Sequence, residues 1–498
     1  MVTATVLWQQ FTLDPIFISA AALGFMSKAV HATLVMFGEG AELIPGLAER
    51  WEELEGGHVY RFHLRRNVRF HNGRLLEAKD VHHSLVRLLL PELHSPSGWL
   101  LRSVRGAKDV LEGRTRTLIG IEVRDSATVD IVLDEPLAFF LSMLTMHEAA
   151  IIPAEETGDR ERFRTRPSGA GPFRVEEIVE GDRLRLRRNQ DYFHAGQPHL
   201  DELVFRLDMR SFRDMADAFI RGELDVVHGV PLRMVKDLGD DSSYAPYLQT
   251  AIQLHTSYFG YDCSVAPFNK LEVRQAINHA INRERINERV FSGLGVMARS
   301  LLPPGLIGHD PGLRGNVYDV QRARALMNKA GQAAGFRVEY RTWDTDEFNN
   351  SGQLALIIED LAAIGVEVHI TTHSAAEARR PLHRAGHGMV FCGNWYADIP
   401  DSDNFFYVFF HSHSGAIRGF HYNRPEIDAQ ITEARRSTDS ERRAEIYRQL
   451  NAMVVREAPL VPLFHERLFV LSKPQVRGVR TSLVPPPVRY HEAWIEES

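Results

Sequence analysis

"QLALIIEDLAAIGVEVHITT", residues 353 to 372, changes its hydrophobic period partway along. Leu354, Ile357, Ile358, Leu361 and Ile364 recur at helical spacing and form one apolar stripe. Gly365 then supplies the residue that takes a left-handed, helix-ending conformation without a Cβ penalty. Val366, Val368 and Ile370 follow at the two-residue period of a strand. A helix handing over to a strand across one glycine predicts an α/β lobe.

The same reading extends outward. "LEVRQAINHAI" places Val273, Ala276, Ile277, Ala280 and Ile281 on one helical face. In "HVYRFHLRRNVRFHNG", Tyr60, Phe62 and Leu64 alternate with polar residues, Val68 and Phe70 resume the alternation, Asn72–Gly73 marks a turn, and a helix is expected after it. "APFNKLEV" and "SLLPPGLIGHDPG" read as connecting loops, and "SLVPPPVRY" as an extended segment that its prolines keep from being helical.

At 498 residues the chain is too long for one hydrophobic core, so two large lobes or three domains are expected. Hydrophobic residues at 44% and charged residues at 25% are ordinary for a globular protein and argue against disorder. A formal net charge of −7 repels a nucleic-acid polyanion, and no nucleic-acid partner is expected. The densest basic run, "DRLRLRRNQ", alternates Leu184 and Leu186 with arginines, which predicts a strand with one wet face rather than a phosphate stripe. The 23 histidines make the net charge less negative as pH falls through about 6.5. Cys263 and Cys392 cannot build a disulfide framework, and free buried thiols are expected. No apolar run reaches the ~18 residues of a membrane span. "PIFISAAALGFM" follows Asp14 with no Lys or Arg before it, so an early helix is expected there, and any export signal is expected outside this chain.

Catalytic and cofactor motifs fail on inspection. "GLGVMA" at Gly293 follows a helical segment rather than a strand, so it is not a dinucleotide turn. "HEAAI" at His147 and "HERLF" at His465 carry Ile151 and Phe469 where a zinc protease needs its second histidine. No phosphate-binding loop or nucleophile elbow is present. In "NWYADIPDSDNF" (394–405), Asp401 and Asp403 fit the start of a calcium loop, but Phe405 and Phe406 occupy its third ligand and glycine positions. His411, His413 and His421 read as surface residues before they read as metal ligands. No cofactor and no metal are expected, and the chain is not expected to be an enzyme.

Five segments in order resemble the family-5 extracellular solute-binding proteins of peptide, dipeptide and nickel ABC importers. They are "LIPGLAERWEELEGGHVYRFHLRRNVRFHNGRLLEAKDVHHSL", "SGAGPFRVEEIVEGDRLRLRRNQDYFHAGQPHLDELVFRL", "GELDVVHGVP", "LEVRQAINHAINRERI" and "YRQLNAMVVREAPLVPLFH". The likeness runs from Thr12 to about Arg480. It implies a two-lobed, class II periplasmic-binding-protein-like α/β fold around a ligand cleft, with an extra subdomain on the first lobe. Residues 1–42, 165–255 and 470–498 are the expected first lobe, 43–164 its extra subdomain and 256–469 the second lobe. Chain crossings near 250–260 and 465–472 are the expected hinge.

The resemblance also assigns the acidic turn. "WYAD" matches the tryptophan and aspartate that peptide-binding members place at the cleft, so Asp398 is expected to pair with a peptide α-ammonium. Trp395 and Tyr396 are expected to wall a side-chain pocket, with Asn394 beside them and Pro400 stiffening the loop. Without the resemblance, Asp398 reads as a solvated loop carboxylate capping the next helix; that reading is preferred for Asp401 and Asp403, with Asn404 as a cap and "NFFYVFF" as core. Arg341 matches the position that reaches a ligand carboxylate, and Arg379 is a further candidate against the ordinary reading of helix arginines as surface residues. Expected partners are a peptide or other small ligand and the membrane subunits of an ABC permease, with the chain itself monomeric and periplasmic or held outside the membrane. The alternatives are a cytoplasmic effector domain of a sugar-phosphate stress regulator and a nickel-chelate binder.

Overall fold

A computed structural model describes residues 1–5, 10–18, 21–38, 40–230, 235, 247–343, 352–373, 385–386, 388–414, 418–481 and 489–496. The chain divides into two compact units, Met1–Ala251 with Leu468–Ser498, and Ile252–Arg467. The chain changes unit a few residues before each boundary read from the sequence. Strand Leu248–Ile252 completes the first unit's sheet, and strand His255–Tyr261 already belongs to the second.

The first unit is built on a seven-stranded mixed sheet. Its order is Leu248–Ile252, Arg467–Ser472, Val226–His228, Val2–Ala4, Glu202–Arg206, Arg183–Arg188 and Phe173–Val179. Alternation decides which side chains enter its core: Leu184 and Leu186 are fully buried while Arg183 and Arg187 on either side of them face outward. Those arginines are matched rather than free, with Arg183 on Glu177 at 3.1 Å and Arg187 on Glu176 at 2.7 Å across the hairpin. Helix Ala21–Val30 lies in the early segment where a helix was expected. A separate four-stranded antiparallel sheet, ordered Ala48–Leu54, Val59–Leu64, Thr128–Val132 and Ile121–Asp125, falls within the expected subdomain segment. Tyr60, Phe62 and Leu64 are buried on it, and Gly73 turns with φ 87° before helix Ala78–Arg87.

The second unit has a six-stranded sheet ordered Val296–Met297, Leu460–His465, His255–Tyr261, Val390–Tyr396, Phe336–Trp343 and Val366–His373. Helix Gln353–Ala362 buries Leu354, Ile357 and Leu361, and Gly365 takes φ +83° before the last strand, as the change of period predicts. That strand lies at the sheet edge, which leaves Ile370 46% exposed. Helix Leu271–Ala280 turns Val273, Ala276, Ile277 and Ala280 wholly inward. Both cysteines are buried and free, and burial pushes the Cys263 thiol up to about 12. Among the described residues, no helix is long and apolar enough to cross a membrane.

Candidate functional site

Strand Val390–Tyr396 runs through the middle of the second unit's sheet. It pairs antiparallel with His255–Tyr261, Thr256 opposite Trp395 and His255 opposite Tyr396, and parallel with Phe336–Trp343 on its other side. Because successive strand side chains point to opposite faces, Asn394 and Tyr396 share one face and Trp395 the other. The sequence candidates are therefore divided, and Trp395 and Tyr396 do not wall one pocket from this strand. Tyr396 is committed elsewhere: its ring lies 4.3 Å from that of His255, and its hydroxyl donates to Glu466. Asn394 is exposed.

On the Trp395 side the turn after the strand is fastened by Asn404. The Trp395 Nε1 donates to the Asn404 backbone oxygen at 2.7 Å and to its Oδ1 at 3.0 Å. The Asp398 backbone N–H donates to the same Oδ1 at 3.0 Å, and Ala397 N–H is held by the Leu254 carbonyl at 2.8 Å. One amide thus fixes the tryptophan and the aspartate three residues beyond it as a unit. Above the indole lies Arg418, its Cζ 3.9 Å from the ring centroid.

The electrostatics of this cluster follow from hydration. Asp398 is exposed on the turn, yet the protein around it takes enough hydration to raise its carboxyl above the ordinary range. A hydrogen bond from the Asn404 side chain and the charge of Arg418 act in the opposite sense, and burial prevails. Arg418 is likewise pulled down by burial, against the charge of Asp398. The two charges act on each other through space without forming an ion pair. Asp398 is an anion with no described cation in contact, on a turn whose backbone shares its Asn404 acceptor with the indole N–H of Trp395. That arrangement has the charge to meet a cationic group.

Asp401 and Asp403 are not solvated. Asp401 is 6% exposed and takes both oxygens to Arg443 Nη2 at 2.8 Å, and Asp403 is 4% exposed with Arg435 at 2.6 Å. Burial raises the Asp403 carboxyl to about 7. The reason is the helix that follows: Asp403–Phe410 buries Phe405, Phe406, Phe409 and Phe410 almost completely and draws its first turn into the core. Asn404 is not its cap either, since it lies inside the helix and its side chain serves the Trp395 turn.

Arg341 stands on strand Phe336–Trp343, half-buried, with Nε and Nη1 lacking a hydrogen-bond partner. Tyr340 is level with Val390, so Arg341 lies some five residues before Tyr396 along the sheet, about 16 Å at ~3.3 Å per residue. The structure does not bring it to Asp398. Arg379 lies outside the described residues. Among those described, no three His, Cys, Asp or Glu side chains come together as a metal-binding group; the His411 and His413 rings lie 5.3 Å apart. Arg418 is the member that sequence reasoning missed.

Residues 42–416 match the profile of the family described as "Bacterial extracellular solute-binding proteins, family 5 Middle". The chain belongs to this family. It is 29% identical to the dipeptide-binding protein of Escherichia coli K12 over 489 residues, covering 93% of this chain and 88% of that one. It is also 29% identical to heme-binding protein A of Haemophilus influenzae over 475 residues, 91% and 84% of the two chains. Among solved structures, the periplasmic binding protein DppA of Helicobacter pylori in complex with the peptide STSA superposes with a TM-score of 0.80 at 25% identity, covering 100% of this chain and 98% of that one. The fold is that of the two-lobed periplasmic binding proteins. As in these relatives, the chain is a solute-binding protein, and the cytoplasmic-regulator alternative finds no support among them.

Proposed function

We propose that this protein captures a short peptide outside the cytoplasmic membrane and passes it to the membrane subunits of an ABC importer, with no bond made or broken. The supporting comparisons are the family and the dipeptide- and peptide-binding relatives. The observation that carries the reading to a residue is Asp398, an unpaired carboxylate held beside Trp395 by Asn404. A carboxylate that has already lost part of its hydration gains strength against an ammonium as further water leaves. Arg341, with two unsatisfied buried donors, is our candidate for a more distant polar contact.

Calorimetry with a mixed dipeptide panel tests the assignment. Asp398→Ala strands the ligand's ammonium, which costs about 2–5 kcal/mol, at least about thirtyfold in affinity. Unchanged affinity for a peptide that the wild type binds removes Asp398 from the site. Binding of hemin in preference to every dipeptide assigns the chain instead to the chemistry named for its Haemophilus influenzae relative.

A further inference from the structure

We infer that Arg418 is a second charged contact of this site, placed to receive a carboxylate that the ligand carries a short span from its ammonium. The inference rests on the reading that Asp398 holds that ammonium.

Arg418 is half-buried, its Nε has neither solvent access nor a hydrogen-bond partner, and no described residue forms an ion pair with it. A guanidinium carries five N–H donors, and buried ones are normally met. The fully buried Arg443 and Arg283 of the same unit obey that rule, whereas the partly buried Arg285, Arg341 and Arg467 also leave their Nε unmet; what sets Arg418 apart is its place on the Trp395 ring. Arg443 reaches Asp401 and the Ala434 carbonyl, and Arg283 reaches the Pro462 carbonyl and Asn278. What Arg418 has instead is the Trp395 ring, 3.9 Å from its Cζ. An aromatic face positions the cation but accepts none of its in-plane N–H groups. Neither does Asp398 serve as its counter-ion, since the two interact only at a distance. A free anion and a donor-rich cation held apart across one tryptophan turn are the complement of a zwitterion. Two sources supply the carboxylate: the C-terminus of a dipeptide, or an acidic side chain on its first residue.

Titration calorimetry with Ala-Ala, Ala-Ala amide, Glu-Ala amide and Gln-Ala amide separates these sources. In the wild type at least one neutralisation, of the C-terminus or of the glutamate, lowers affinity about tenfold or more. Arg418→Met shrinks that ratio below about threefold, and Arg418→Lys, which keeps charge but loses the planar fork, leaves an intermediate ratio. The inference is overturned when neither neutralisation matters in the wild type, or when the ratio survives intact in both variants. Equal binding of all four ligands removes Arg418 alone. Failure of every peptide to bind removes the peptide reading and Arg418 with it. A thermal melt of each variant shows that it is folded, and where the Met variant unfolds the Lys variant decides.

Discussion

Asp398 is a carboxylate whose surroundings oppose its charge, and this has a consequence in solution. Only the ionised form pairs with an ammonium. With the free carboxyl raised by burial, affinity for a cationic ligand falls on acidification at a pH above the ~3.9 of an ordinary aspartate. Dissociation constants measured against pH show this inflection, and Asp398→Asn abolishes it. At this scale the sequence was only partly legible. The tryptophan-to-aspartate spacing was legible through the family resemblance, but the expectation that Trp395 and Tyr396 wall one pocket overlooks the two-residue period that puts them on opposite faces. Arg418 was not legible, because nothing in a sequence marks which cation folds back over an indole 23 residues earlier (418 − 395). Arg435 and Arg443 stand 32 and 42 residues beyond the acids they neutralise, so the burial of Asp403 and Asp401 was hidden for the same reason.

Among elements, helix Asp403–Phe410 does most to fix the site. Its four buried phenylalanines seat the first turn, and the Asn404 carried on that turn holds both Trp395 and Asp398. Arg443→Met leaves Asp401 buried and unpaired and is expected to cost about 3–5 kcal/mol in urea unfolding. A loss under about 1 kcal/mol would show that the first turn is not secured by this pair. Elements were the most legible level of the sequence: the stripe of Leu354, Ile357 and Leu361, the reversal at Gly365 and the alternation of Tyr60, Phe62 and Leu64 all appear as read. Local periodicity dictates those features without help from distant residues. The place where one unit's sheet ends and the next begins depends instead on long-range pairing, and the boundaries read from sequence fall a few residues late.

At the scale of the molecule, burial lowers many of the described histidines, seven of them far: His31, His147 and His255 to about 3, and His71, His228, His465 and His491 to about 4. A base whose folded pKa is depressed adds stability above its unfolded value of ~6.5 and loses it as pH falls toward the folded value. Asp403, raised to about 7, acts in the opposite direction between ~3.9 and 7, and the carboxyls of Asp360 and Asp398, also raised by burial, act in the same sense, but these three are outnumbered by the histidines. Unfolding free energy is therefore expected to fall steeply from pH 6.5 to 4, as guanidinium titrations at stepped pH will show; a flat profile contradicts the burial of these rings. The central claim is that the carboxylate of Asp398 holds a ligand's ammonium, and a calorimetric cycle tests it most directly. Free and N-acetylated forms of one tightly bound dipeptide are titrated into the wild type and into Asp398→Asn. The account predicts that acetylation weakens wild-type binding more than about tenfold and changes binding to the variant by less than about threefold. Equal affinity of the wild type for both forms contradicts it.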